Sequence, residues 1–93
     1  MERKLNSVGK ACFVKYYSQF ANYNIPNYEL VEILHKENGY TMKASQTRVS
    51  KARSLIKNGC ACGALQIIIS SNRLEPNTVE EAQKIYRKIC LKQ

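Results

Sequence analysis

A chain of 93 residues suits one domain and leaves no room for a separate regulatory one. Its 44% hydrophobic content supports a compact core of modest size, and 15 Lys and Arg against 7 Asp and Glu give a formal charge of +8, which favours a polyanionic partner. The apolar segments are too short to cross a bilayer, and Met1-Glu2-Arg3-Lys4 precedes no signal-peptide core, so the sequence reads as soluble, unsecreted and cytoplasmic.

Val8, Cys12, Phe13, Tyr16, Tyr17 and Phe20 recur at helical spacing and predict a first helix from about Ser7 to Tyr23. Pro26 ends the run, because the residue before a proline is held extended and proline lacks the amide a continuing helix needs. Asn27 is then a candidate cap for a second helix, with Leu30, Val31, Ile33 and Leu34 on its buried stripe and Gly39 as its left-handed stop. Ser45 is the expected N-cap of a third helix, in which Val49, Ala52, Leu55 and Ile56 form the stripe up to Asn58-Gly59. The β-branched run in Ala64-Leu65-Gln66-Ile67-Ile68-Ile69 predicts a short β-hairpin, with a helix as the alternative. Thr78-Val79-Glu80-Glu81 has capping-box form and opens an amphipathic terminal helix through Val79, Ala82, Ile85, Tyr86 and Ile89.

Between Asn38 and Leu74 there is no Asp or Glu, whereas Lys43, Arg48, Lys51, Arg53, Lys57 and Arg73 all fall inside. At ~100° per residue the third helix turns Gln46, Thr47, Ser50, Lys51, Ser54 and Lys57 away from its apolar stripe. Hydrogen-bonding groups among cations are what a DNA duplex requires: Gln46, Thr47, Ser50 and Lys51 are candidates for base edges, and Lys43, Ser45, Arg48, Arg53, Lys57 and Arg73 for phosphates. The small Ser45, Thr47 and Ser50 permit close approach of the helix start to the duplex.

These residues also carry a resemblance. Glu29-Leu30-Val31-Glu32-Ile33-Leu34, Asn38-Gly39-Tyr40 and Ser45-Gln46-Thr47-Arg48-Val49-Ser50 resemble the winged helix-turn-helix of arginine-repressor DNA-binding domains, over roughly Tyr28 to Ile69. The resemblance implies a recognition helix at about 45–58 with a β-hairpin wing behind it; arginine sensing is not implied, since the family's C-terminal effector domain is missing. In size and architecture the chain is also similar to small plasmid-encoded winged-helix proteins that assist a relaxase at a transfer origin.

Other motifs carry less chemistry. Cys60-Ala61-Cys62 suggests zinc, but Cys12, Cys90 and His35 are distant in sequence, so no metal or other cofactor is expected and reduced thiols are the default. His35 follows Glu32 by one turn but has no nucleophile with it. The 6 tyrosines are capable of stacking on bases, yet most sit at core-compatible positions. Arg3, Lys4 and Lys10 form a candidate second basic contact. No phosphate-cradling loop, carboxylate pair or triad argues for an enzyme.

The sequence therefore predicts a mainly α fold with a small β-hairpin: a single winged helix-turn-helix domain over 1–93 with an added C-terminal helix. The expected function is sequence-specific binding of double-stranded DNA, as a transcriptional regulator or transfer-origin accessory protein. The terminal helices would supply a homodimer seam, and another DNA-processing protein is a further candidate partner. The alternative is a protein-interaction adaptor or inhibitor that uses the basic face.

Overall fold

A computed structural model describes residues 2–90. The described residues form helices and connections only: α1 (Glu2–Val8), α2 (Lys10–Lys15), α3 (Tyr17–Phe20), α4 (Asn27–Asn38), α5 (Met42–Lys57), α6 (Ala61–Ile69) and α7 (Pro76–Ile89). α1 and α4 both pack on α5, α7 packs on α6, and α2 joins the two groups by touching α7. Leu5, Val8, Phe13, Phe20, Leu30, Leu34, Val49, Leu55, Leu65 and Ile68 are fully enclosed between them.

The expected β-hairpin is absent, and α6 occupies its place. Ala61, Ala64, Leu65 and Ile68 are the buried residues of this segment, and their i, i+3, i+4, i+7 spacing is helical. The β-branched triplet Ile67-Ile68-Ile69 argues locally for a strand, but one apolar helical face packed against α7 outweighs that preference. The fold is thus an all-α bundle, and the winged helix-turn-helix assignment fails at its wing.

Three boundaries also differ from expectation. Helix begins at Glu2 rather than near Ser7, and the predicted run to Tyr23 is interrupted at Gly9 and Tyr16 and ends at Phe20; Gly9 has φ +89°, which L side chains rarely adopt. α5 begins at Met42, four residues early, because Thr41 rather than Ser45 is its N-cap, accepting from the Ala44 amide at 3.1 Å. α7 begins at Pro76 rather than Thr78, since proline is preorganised for the first helical position. The stop at Gly39 is left-handed as expected, with φ +72°.

Gly9 lies where α1, α2 and α5 converge, and a Cβ there would stand 2.8 Å from an Arg48 guanidinium nitrogen that donates to the Val8 carbonyl. Gly9→Ala is expected to destabilise the fold by about 1–3 kcal/mol from backbone strain alone. Urea unfolding checks this, and an unchanged midpoint would contradict it.

The Tyr16 hydroxyl fixes the end of α2 to the end of α4, donating to Glu37 Oε1 at 2.6 Å and accepting from Asn38 Nδ2 at 3.0 Å. Burial, and then the hydrogen bond to the Glu37 carboxylate, push its pKa up from 10.0 to about 12. The folded chain therefore holds this proton more tightly than the unfolded chain. The resulting stability is complete below pH 10 and is lost as the pH rises towards about 12. Tyr16→Phe is expected to flatten the fall of stability across that window, measured by urea unfolding against pH; curves parallel to those of the parent protein would contradict the assignment.

The cysteines depart from the expected reduced state, for Cys62 near the start of α6 and Cys90 at the end of α7 are joined by a disulfide, while Cys12 and Cys60 are free. On α7, Ala82 is buried and Ile85 and Tyr86 pack against the chain's own core. Much of the stripe assigned to a dimer seam is therefore covered within the chain. Among the described residues no helix is long and apolar enough to cross a membrane.

Candidate nucleic-acid interface

The start of α5 is held by a short turn. The Gly39 amide donates to the His35 carbonyl at 3.1 Å, His35 Nδ1 lies 2.5 Å from the Tyr40 carbonyl oxygen, and the Thr41 cap opens the helix. His35 is thus part of the α4–α5 turn, and Glu32 pairs with Lys36 instead, at 3.6 Å.

From this turn α5 presents two faces. Ser45, Val49, Ala52 and Leu55 are buried, whereas Lys43, Gln46, Thr47, Ser50, Lys51 and Lys57 are exposed. α1 adds a cation: Lys4 Nζ donates to Ser54 Oγ at 2.7 Å, on the same side of α5 as Lys43, Thr47 and Ser50. Thr47 Oγ1 donates back to the Lys43 carbonyl at 3.1 Å, which steadies the first turns.

The remaining predicted phosphate contacts lie elsewhere. Ser45 is fully buried and its Oγ has no hydrogen-bond partner among the described residues. Arg48 donates to the Val8 carbonyl and stacks 3.9 Å from the Tyr40 ring centroid. Arg53 donates to the carbonyls of Phe20, Gln19, Asn22 and Ile25 and to Asn27 Oδ1. Arg73 is exposed in the connection between α6 and α7. The structure therefore gathers Lys43, Gln46, Thr47, Ser50, Lys51 and Lys57 on one face, adds Lys4, and directs Arg48 and Arg53 into the fold. Their positions on the flanks of the apolar stripe do not by themselves distinguish that inward role in the sequence.

The other chemistry-bearing groups are dispersed. Burial pushes the Cys12 thiol above its ordinary pKa and the nearby Arg48 guanidinium opposes this, so the net effect is a less reactive thiol. Cys60 Sγ lies 3.8 Å from the Asn58 carbonyl oxygen. Among the described residues no three His, Cys, Asp or Glu side chains gather where they could hold a metal ion. Most tyrosines pack as expected: Tyr16 is buried in the core and Tyr17, Tyr40 and Tyr86 lie against it, whereas Tyr23 and Tyr28 are exposed, at 62% and 71%.

Comparison with protein families, curated proteins and solved structures finds no match to this chain. The arginine-repressor resemblance is therefore not sustained: the segment meant for its wing is the helix α6, and no family agreement stands behind the short shared motifs. The winged recognition mechanism falls with it, and so do the transcriptional and transfer-origin roles inferred from that mechanism.

Proposed function

We propose that this chain is a non-enzymatic binding module whose exposed α5 face rests against the phosphates of double-stranded DNA. One observation carries the reading: Lys43, Lys51 and Lys57 share a solvent-facing stripe with Gln46, Thr47 and Ser50, in a region without a single acid from Asn38 to Leu74. From Lys43 to Lys57 the stripe runs about 21 Å. A duplex carries one negative charge per ~1.7 Å of axis, so several phosphates lie within reach. Gln46 and Ser50 supply neutral donors to phosphate and sugar oxygens between the cations, while the Thr47 hydroxyl proton is held by the Lys43 carbonyl.

This reading concerns backbone attraction and needs no wing. The binding face lies on α5, with Lys4 from α1 beside it, and contains neither bonded cysteine.

The test is a salt titration of binding to unrelated DNA duplexes. Lys43→Ala, Lys51→Ala and Lys57→Ala are each expected to weaken binding to all duplexes alike and to lower the salt slope by about 1. Removing two charges from α7, with Lys84→Ala and Lys88→Ala, is expected to leave that slope unchanged. Equal losses from α5 and α7 would show net charge alone at work and would overturn the assignment to α5.

A further inference from the structure

An open groove runs along the seam between α2–α3 and α7, away from the residues assigned to DNA. Val14 and Tyr17 line one side and Ile85 and Ile89 the other, around a cavity of about 490 Å³. Past Val14, Lys15 and Glu81 it continues into a second depression of about 310 Å³ beside Asn77 and Thr78. From Asn77 to Ile89 this amounts to about 18 Å of α7.

The apolar floor has a cationic rim. Lys15, Lys84 and Lys88 line the groove and are exposed, with Glu81 as its one acid. Among the described residues the ion pair present is Lys36 with Glu32, so these three lysines have no carboxylate partner there. A small polar ligand needs convergent polar groups at depth, whereas here the charged groups stand on the rim and the floor is apolar. That pattern complements a long apolar strip flanked by acids.

We propose that the α2–α7 groove docks an acidic amphipathic helix of a partner protein, with its apolar stripe on Tyr17, Ile85 and Ile89 and its carboxylates on Lys15, Lys84 and Lys88. Helices engage such grooves through anchors at i, i+3, i+4 and i+7, and the length of the seam accommodates about three turns. A second copy of this chain fits poorly, because each copy carries a charge of +8 and would set one lysine rim against another. The proposal rests on the groove alone and does not depend on the DNA reading.

The probe is a fluorescein-labelled helical peptide about as long as α7, with Leu at i, i+3, i+4 and i+7 and Glu on both flanks, titrated by anisotropy against the full chain. Saturable one-to-one binding is expected. It should weaken at least about tenfold in the Lys84→Glu, Lys88→Glu double variant, weaken also in Ile89→Asp, and stay unchanged in Lys51→Ala. All of these residues are at least partly exposed, and circular dichroism verifies that each variant is folded. The proposal is overturned if the peptide does not bind, if a peptide of equal charge with a scrambled apolar stripe binds equally well, or if charge reversal has no effect. It is equally overturned if a long-chain carboxylate fills the groove while the peptide does not.

Discussion

Arg53→Ala is expected to lower folding stability by roughly 2–4 kcal/mol, more than any other single change on the surface of α5. The guanidinium closes the α3–α4 connection onto α5 by donating to Phe20 O at 3.1 Å, Asn22 O at 2.9 Å, Ile25 O at 2.7 Å and Asn27 Oδ1 at 2.5 Å, with a longer bond to Gln19 O at 3.3 Å. Truncation removes every one of these donors, and carbonyls in a part-buried setting are costly to leave unpaired. Arg53→Lys is expected to recover less than half of the loss, since an ammonium cannot reproduce the planar fork. Under conditions where Arg53→Ala remains folded, its DNA salt slope should equal that of the parent chain, because the charge faces the chain and not the duplex. A stability change below about 1 kcal/mol, or a slope lowered by about 1, would refute the internal role.

Removing the disulfide, by reduction or by Cys62→Ser with Cys90→Ser, is the second large effect. The bond closes a loop with a sequence separation of 28, and chain entropy assigns such a loop about 3–4 kcal/mol. α7 is the element most exposed to the loss, because Ala82 is its one fully buried residue and the disulfide anchors its C-terminal end. Urea unfolding with and without a phosphine reductant should show the difference, accompanied by faster amide exchange in α7 than in α4 or α5. DNA affinity at a temperature where both forms are folded should be the same oxidised and reduced. A loss under about 1 kcal/mol would mean that packing of α6 on α7 holds the terminal helix without help.

Much of the α4–turn–α5 unit is legible from the residues themselves. The stripe Leu30, Val31 and Leu34, the stop at Gly39 and the inward set Val49, Ala52 and Leu55 follow from helical spacing and from the conformational freedom of glycine. The solvent-facing set of α5 follows from the same geometry, so Gln46, Thr47, Ser50 and Lys51 are exposed. What local pattern cannot supply is the choice between two competent signals. Thr41 and Ser45 are both good caps; Thr41 prevails because Ser45 falls on the buried stripe one turn into the helix.

The hairpin fails for a related reason. Ile67, Ile68 and Ile69 favour a strand one residue at a time, but a wing needs a second apolar strand, and Ser70 to Glu75 offers only Leu74. The fold instead uses Ala61, Ala64, Leu65 and Ile68 as one helical face. The roles of Arg48 and Arg53 were hidden by distance along the chain: their partners, Val8 and the stretch from Gln19 to Asn27, lie 26 to 40 residues away. A cation beside an apolar stripe looks the same in sequence whether it reaches outward to phosphate or inward to carbonyls. The disulfide was hidden in the same way, because pairing depends on where α7 returns to α6, and the cysteine spacing does not encode that return.

Whether the duplex rests on α5 is read from an amide chemical-shift footprint of the isotope-labelled chain on a short DNA duplex. The largest shifts are expected at Lys43, Gln46, Thr47, Ser50 and Lys51, with smaller ones at Lys4 and Lys57 and none along Lys84 to Ile89. Shifts concentrated on α2 and α7 with α5 silent would contradict that placement, and would move the polyanion to the other cationic surface.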